Sequence, residues 1–249
     1  MRVASWNVNS IRARLDRVLH WLASADADVV CLQEIKCVDQ QFPREPFEDL
    51  GYAVETYGQR TYNGVAILSR RGLEDVVRGV AGVDDEVFGR RALAATVGDL
   101  MLVNVYVVNG ERVGSPKFRQ KLEWLAHLAR QVAERADLAR EKVALCGDFN
   151  VTFDDRDVYD PEGWRGAIMC SSAERQALAE VMRPGLVDAF RRFHEEGGHY
   201  TWWDHRTRGY QRGQGQRSDH FLLSEPAQRL AGPGSGIALK ALHERHKRN

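Results

Sequence analysis

The chain has 249 residues, 43% hydrophobic and 28% charged, a composition that fits one large globular domain and excludes a collagen, a coiled-coil rod and a mostly disordered chain. Lys plus Arg and Asp plus Glu balance at 35 each, so a surface basic all over is excluded and any polyanion must be met by a local patch. No apolar run approaches the roughly 20 residues of a membrane span, the N-terminus opens on MRVASWNVNS with no apolar leader, and Cys31, Cys37, Cys146 and Cys170 lack CxxC pairing, which points to free thiols in a reducing cytoplasm.

In chain order, Arg2–Val8 reads as a buried strand. Leu15, Val18, Leu19 and Leu22 follow at helical spacing. Asp28–Gln33 is a second apolar strand, and the alternation of strand and helix suggests a layered α/β protein. Four strand-like runs come next: Tyr52–Thr56, Gly64–Ser69, Arg91–Val97 and Leu100–Val107. Gly98-Asp99 between the last two is a type II′ hairpin pattern, which argues for a mixed or antiparallel sheet. Ser115 and Pro116 open an amphipathic helix with Phe118, Leu122, Leu125, Leu128 and Val132 on one face. Lys142–Cys146 is a buried strand ending in GDFN. Ser171 and Glu174 form a capping-box pattern, and that helix stops at Pro184-Gly185. Short strands near Tyr200–Trp203 and Arg217–Leu223 flank a polar loop, Arg206–Gln216. The tail from Gly232 shows no strand-like alternation. The expected architecture is one domain, 1–249, of two sheets face to face with helices outside.

Several apolar strands end in polar residues: Asn7, Gln33-Glu34, Asn104 with Tyr106, Asp148 with Asn150, and Asp219. A carboxylate at a buried strand end is costly unless it binds something. Such ends meeting at one sheet edge would make an oxygen-rich pocket suited to Mg²⁺. Each alone is as readily a turn residue; together they make a pocket the better reading.

The motifs WNVNSIRARL, LQEIK, YNGVAILSR, NVYVVNG, KFRQKLEWL, GDFN, GLVDAFR, YTWWDHR and RSDHFLLS together resemble, in order, those of the exonuclease III family of abasic-site DNA endonucleases, within the endonuclease/exonuclease/phosphatase superfamily. GDFN alone is shared widely there; WNVNSIRAR, LQEIK and KLEWL point to the DNA-repair branch. The resemblance implies a four-layer α/β sandwich and an Mg²⁺-dependent enzyme, with Mn²⁺ as a substitute. It would cut 5′ of an abasic site to leave a 3′-hydroxyl, with 3′-to-5′ exonuclease or 3′-end cleaning activity. By the same resemblance Glu34, Asn7, Asp148 and Asn150 are metal-site residues, Asp148 also aligns or deprotonates the attacking water, and Asn150 also holds Asp148 and the phosphate. Tyr106 contacts the scissile phosphate and Asp219 orients a catalytic histidine. Lys36, Arg90, Arg91 and Arg206 match positions near the DNA face, and Trp202 matches an aromatic of the abasic pocket. The implied partner is double-stranded DNA with abasic sites or blocked 3′ ends, met by a cytoplasmic monomer without a membrane.

The family closes on a Ser-Asp-His-x-Pro-Val strand, and this chain ends KALHERHKRN without it. Ser218-Asp219-His220 is a decoy, since FLLS continues it as the family's earlier Arg-x-Asp motif continues. A chain that stops short, a replacement such as His243 or His246, and lost catalytic power compete as explanations. A missing closing strand would leave a sheet edge exposed, and residues from about 232 are expected to be a divergent or truncated tail. Val108 stands where the family has proline, and Ser218 where it has an apolar residue, a change that would loosen substrate choice if Ser218 lines the pocket. His194 and His199 flank a Glu-Glu-Gly-Gly turn and read as loop residues rather than zinc ligands, for want of a His or Cys partner. Two alternatives to the repair nuclease are a related phosphoesterase acting on other phosphate esters and a catalytically impaired abasic-DNA-binding protein.

Overall fold

The computed structural model describes residues 1–135, 137–231 and 238–242. Its strands are β1 (Arg2–Asn7), β2 (Val29–Gln33), β3 (Ala53–Tyr57), β4 (Val65–Ser69), β5 (Glu74–Arg78), β6 (Ala92–Val97), β7 (Leu100–Tyr106), β8 (Lys142–Asp148), β9 (Val187–Asp188), β10 (Trp202–Trp203), β11 (Gly215–Gln216), β12 (Asp219–Leu223) and β13 (Ala238–Leu242). One mixed sheet runs β13-β1-β2-β4-β3 and the other β5-β6-β7-β8-β12-β9, with β10 and β11 as a separate ribbon.

The two sheets stack because their strands are apolar on both faces, and successive side chains alternate between them. Val3, Val29, Cys31, Val65 and Ile67 of the first sheet meet Leu93, Ala95, Leu102, Ala144, Cys146, Phe221 and Leu223 of the second. The opposite face of the first sheet, with Ala4, Trp6, Val30, Leu32 and Leu68, packs on Val18 and Leu22 of helix Ile11–Ala25. The opposite face of the second, with Val103, Val105, Val143, Leu145 and Leu222, packs on helices Pro116–Arg135 and Ser172–Met182 through Trp124, Leu125, Leu128, Leu178 and Val181. The result is the helix–sheet–sheet–helix sandwich expected from the motifs. All four cysteines are buried and free.

Local chemistry fixes the connections. Val97 pairs Leu100 across Gly98-Asp99, with φ positive at Gly98 (63°) and not at Asp99, as a II′ turn requires. Ser115 Oγ accepts from Phe118 N at 3.0 Å and caps its helix, and Ser171 with Glu174 completes the capping box. Gly147 has φ +138°, and a Cβ there would lie 1.9 Å from Val105 O, so strand β8 admits only glycine beside β7.

Four features depart from the sequence reading. Strand β5 is half-exposed at a sheet edge, where its apolar alternation is too weak to read. The 206–216 segment is more than a loop. It holds a short helix, Gly209–Arg212, set between left-handed Arg208 (φ 56°) and Gly213 (φ 68°), and strand β11. The tail also forms a strand: β13 pairs parallel with β1 from Arg2↔Ala238 to Trp6↔Leu242, so the expectation of a tail without a strand is corrected, while the Ser-Asp-His-x-Pro-Val motif itself is absent from the sequence. The unpaired backbone groups along β1 supply the partner that a weak ALKAL pattern does not advertise. Ser218, finally, is 1% exposed, buried rather than open to solvent. No described helix is long and apolar enough to cross a membrane.

Candidate active site

The polar strand ends meet at one edge of the sandwich. Asn7 ends β1, Glu34 follows β2, Tyr106 ends β7, Asp148 ends β8 and Asp219 opens β12. In register, Tyr106 and Asp219 both lie beside Asp148, one on each side. Beneath them Gln33 and Asn104 tie the sheets together. Gln33 Nε2 donates to Ser5 Oγ (3.0 Å) and Asn104 Oδ1 (2.7 Å), while Asn104 Nδ2 donates to Leu32 O and Ala66 O (both 2.9 Å). These bonds across the buried interface hold the two sheets in one relative position.

Asn7 joins the two key carboxylates. Its Nδ2 donates to Glu34 Oε1 at 2.8 Å and to Asp148 Oδ2 at 2.9 Å. Lys36 Nζ lies 2.8 Å from Glu34 Oε2. Asp148 Oδ1 accepts from Asn150 N (3.0 Å), Asn150 Nδ2 donates to Val107 O (3.0 Å), and Asn109 Nδ2 donates to Asn150 Oδ1 (3.1 Å). Glu34 (φ 53°), Lys36 (φ 53°) and Asn150 (φ 50°) all take the left-handed backbone region. Such strain in non-glycine residues persists only where surrounding structure enforces it, and it gathers at functional sites.

The electrostatics are those of crowded anions. Burial, with the Glu34 charge added and the Asn7 hydrogen bond opposing, pushes Asp148 up to about 6. Burial and the nearby Asp148 raise the Asp219 carboxyl well above its usual range. The Tyr106 hydroxyl is also raised, first by burial and then by Glu34 and Asp148. Asp219 Oδ1 is buried with no hydrogen-bond partner among the described residues. An oxygen-only donor set, three carboxylates and an orphaned carboxylate oxygen fit a hard divalent cation.

The other expected contacts are placed less uniformly. The Arg91 guanidinium lies 4.8 Å over the Tyr106 ring and donates from Nε to Phe88 O (2.5 Å), which ties it to the cluster. Arg90 donates to Gly58 O (2.8 Å) and stands over Tyr57. Trp202 is half-buried on β10, and Arg206 is exposed and paired with Asp204 (2.9 Å). No described contact joins Arg90, Trp202 or Arg206 to the carboxylates. His243 and His246 lie outside the described residues.

Asp219 and His220 point to opposite faces of β12. His220 donates from Nε2 to Val151 O (2.7 Å), and Nδ1 accepts from Arg217 Nη1 (3.1 Å), so the imidazole is neutral. Burial, reinforced by Arg217, lowers it to about 4. Arg217 in turn is held by Asp157 (2.8 Å) and Asp188 (2.6 Å). A histidine depressed from 6.5 to about 4 stabilises the fold above pH 6.5, and that stability drains away as pH falls through 4. His220→Gln should therefore lose less stability than wild type, by about 3 kcal/mol, between pH 7 and pH 4. Unfolding free energies from urea denaturation that fall in parallel for the two proteins from pH 7 to pH 4 would refute it.

Residues that the motif reading passed over also support the site. Lys121 Nζ, fully buried, donates to Asn150 O (2.6 Å), Asn109 O (3.1 Å) and Glu174. The signal was present, since Lys121 follows Phe118 by three and precedes Leu125 by four, on the helix's apolar face.

Comparison with known proteins agrees with this geometry. The family model described as "Endonuclease/Exonuclease/phosphatase family" matches residues 4–241. Exodeoxyribonuclease III of Haemophilus influenzae is 30% identical over 257 residues, covering 98% of this chain and 96% of that protein. Among solved structures, the 3′ phosphatase NExo from Neisseria bound to a product DNA hairpin is 41% identical, with TM-score 0.87 over 92% of this chain and 88% of that one. An AP endonuclease from Archaeoglobus fulgidus is 34% identical, with TM-score 0.86 over 91% and 88%.

Proposed function

The chain belongs to the Endonuclease/Exonuclease/phosphatase family, among its exonuclease III-like DNA-repair nucleases, and from that premise we propose that it is an Mg²⁺-dependent phosphodiesterase acting on damaged double-stranded DNA. It cuts 5′ of an abasic site, leaves a 3′-hydroxyl, and clears blocked 3′ ends. The observation that carries this reading is the Asn7 amide held between Glu34 and Asp148 at 2.8 and 2.9 Å.

In this reading Glu34, Asn7 and Asp148 hold the ion. When bound, Mg²⁺ supplies Lewis-acid charge for a phosphate oxygen. The Asp148 carboxylate, desolvated and fixed by Asn7 and the Asn150 amide, takes a proton from the attacking water. Water oxygen bonds to phosphorus, the bond from phosphorus to the 3′ oxygen breaks, and that oxygen picks up a proton. Tyr106, kept protonated by burial and its anionic neighbours, donates to the phosphoryl oxygens, beside Asn150. In the same reading Asp219 orients a histidine. Lys36, Arg90, Arg91 and Arg206 meet backbone phosphates, which adds affinity without sequence reading, and Trp202 faces the extruded sugar.

Likeness to a 3′ phosphatase favours 3′-end cleaning as a second activity of the same site. An end-labelled duplex carrying one abasic analogue, assayed beside a duplex with a 3′-phosphate end, tests both. Chelator-sensitive nicking 5′ of the lesion, or 3′-phosphate release, is expected. Faster turnover of mononucleotides or phospholipid headgroups would replace this reading with another phosphoesterase. Salt-sensitive binding without cleavage would replace it with an impaired DNA-binding protein.

A further inference from the structure

Between the 3₁₀ turn Phe190–Arg192 and β10, a loop gathers His194, Glu196 and His199 so that their ligand atoms all lie within 4.8 Å of one another. The sequence offered no His or Cys partner at the usual spacing for these histidines, and the fold supplies Glu196 instead. His194 Nδ1 is 3.4 Å and His199 Nε2 is 2.7 Å from the same oxygen, Glu196 Oε1. Tetrahedral zinc with bonds of about 2.0–2.1 Å separates its ligand atoms by about 3.3 Å. The first distance already matches that separation, and the second needs to open by less than an ångström.

The loop is held in this shape from outside. Arg191 Nη1 donates to His194 O (3.1 Å) and Glu196 O (2.6 Å), and its other nitrogen pairs with buried Asp157. Arg156 Nη1 donates to Glu195 O (3.1 Å). Phe190 stacks on His194 with centroids 4.4 Å apart and meets His199 edge-on at 5.3 Å. Gly198, at φ +86°, makes the left-handed turn that returns His199 to Glu196. One ring stack, one edge-on ring contact, two arginine clamps and a glycine turn thus set the ligand geometry in advance, which lowers the ordering cost of binding an ion.

We infer that His194, Glu196 and His199 form a surface site for a divalent transition metal of the zinc class, separate from the carboxylate site and completed by water. Two imidazoles and one carboxylate favour zinc over magnesium, which takes oxygen ligands. The ion would clip the 193–200 loop just before Thr201, whose Oγ1 accepts from Ser218 N (3.1 Å) and Asp219 N (3.0 Å).

The test is calorimetric titration of the full chain with Zn²⁺ in excess Mg²⁺, which keeps the oxygen site filled. Wild type should bind one more equivalent than the His194→Ala/His199→Ala variant. Glu196→Gln, which retains both imidazoles but loses the ligand carboxylate, should bind that equivalent at least about 10-fold more weakly. Trypsin cleavage after Arg192 should slow with Zn²⁺ in wild type and not in the double variant. Identical titrations for wild type and the double variant would overturn the site, as would trypsin rates unmoved by Zn²⁺ in wild type.

Discussion

Asp148→Asn is expected to lower the Mg²⁺-dependent cleavage rate by about 10²–10⁴-fold, the range for loss of a positioned general base, and at the same time to make the metal-free protein more stable. The second half follows from electrostatics. Asp148 sits 5% exposed beside Glu34, with a carboxyl pushed up to about 6. Because the folded pKa lies above the unfolded value, folding is favoured most below pH 4, and that benefit is lost as pH rises through 6. At pH 7 in chelator the buried carboxylate therefore costs about 2–3 kcal/mol. Asparagine removes that charge but loses an acceptor for Asn7 Nδ2 or Asn150 N, which offsets part of the gain. Thermal melts in chelator should show the variant ahead of wild type at pH 7, with the gap closing by pH 4. A variant that melts below wild type at pH 7 would mean Asp148 is a structural residue first. Opposite signs in activity and stability mark a site that folding tolerates for function.

Glu34→Ala separates this from a generic defect. It removes the other carboxylate bonded to Asn7 and leaves the Asp148–Asn150 arrangement in place. Cleavage should be lost, while binding of abasic duplex is retained and weakens with salt, because phosphate contacts come from basic side chains.

The layers were legible because a short continuous apolar run marks a strand covered on both faces and a period-3.6 pattern marks one covered helix face, as in Val29–Gln33 and the Phe118–Val132 face. The convergence of Asn7, Glu34, Tyr106, Asp148 and Asp219 could be suspected from polar residues ending apolar runs. It needed topology to appear, since Asn7 and Asp148 are 141 positions apart in the chain. What stayed hidden has a common physical character. Strand β13 gains its order from the open edge of β1, not from its own alternation. The His194–Glu196–His199 cluster depends on the turn at Gly198 and on Arg191 anchored to Asp157. The Arg217–Asp157–Asp188 network joins three segments distant in sequence. Long-range partners of this kind leave no local periodicity to read.

Removal of Lys121 is expected to be the most destabilising single change among those considered. Its ammonium and the Glu174 carboxylate are both 0% exposed. All three of its donors are used, on Glu174 and on the carbonyls of Asn109 and Asn150. Glu174 also accepts from Met169 N (3.0 Å), Ser171 N (3.2 Å) and Ser171 Oγ (2.6 Å). Lys121→Met keeps the stem's packing but leaves a buried carboxylate without its cation, at a cost of about 3–5 kcal/mol. In a chain of this size that lowers Tm by about 6–20 °C. Adding Glu174→Gln to Lys121→Met removes the stranded charge and should recover part of the loss, the coupling that defines a buried pair. Stability would then return before activity does. The Asn150 carbonyl still lacks its donor, and Asn150 carries the amide bonded to Asp148. A double variant no more stable than Lys121→Met would show that packing, not charge, holds the two helices together. One that regained stability and full cleavage together would show that Lys121 does not position Asn150.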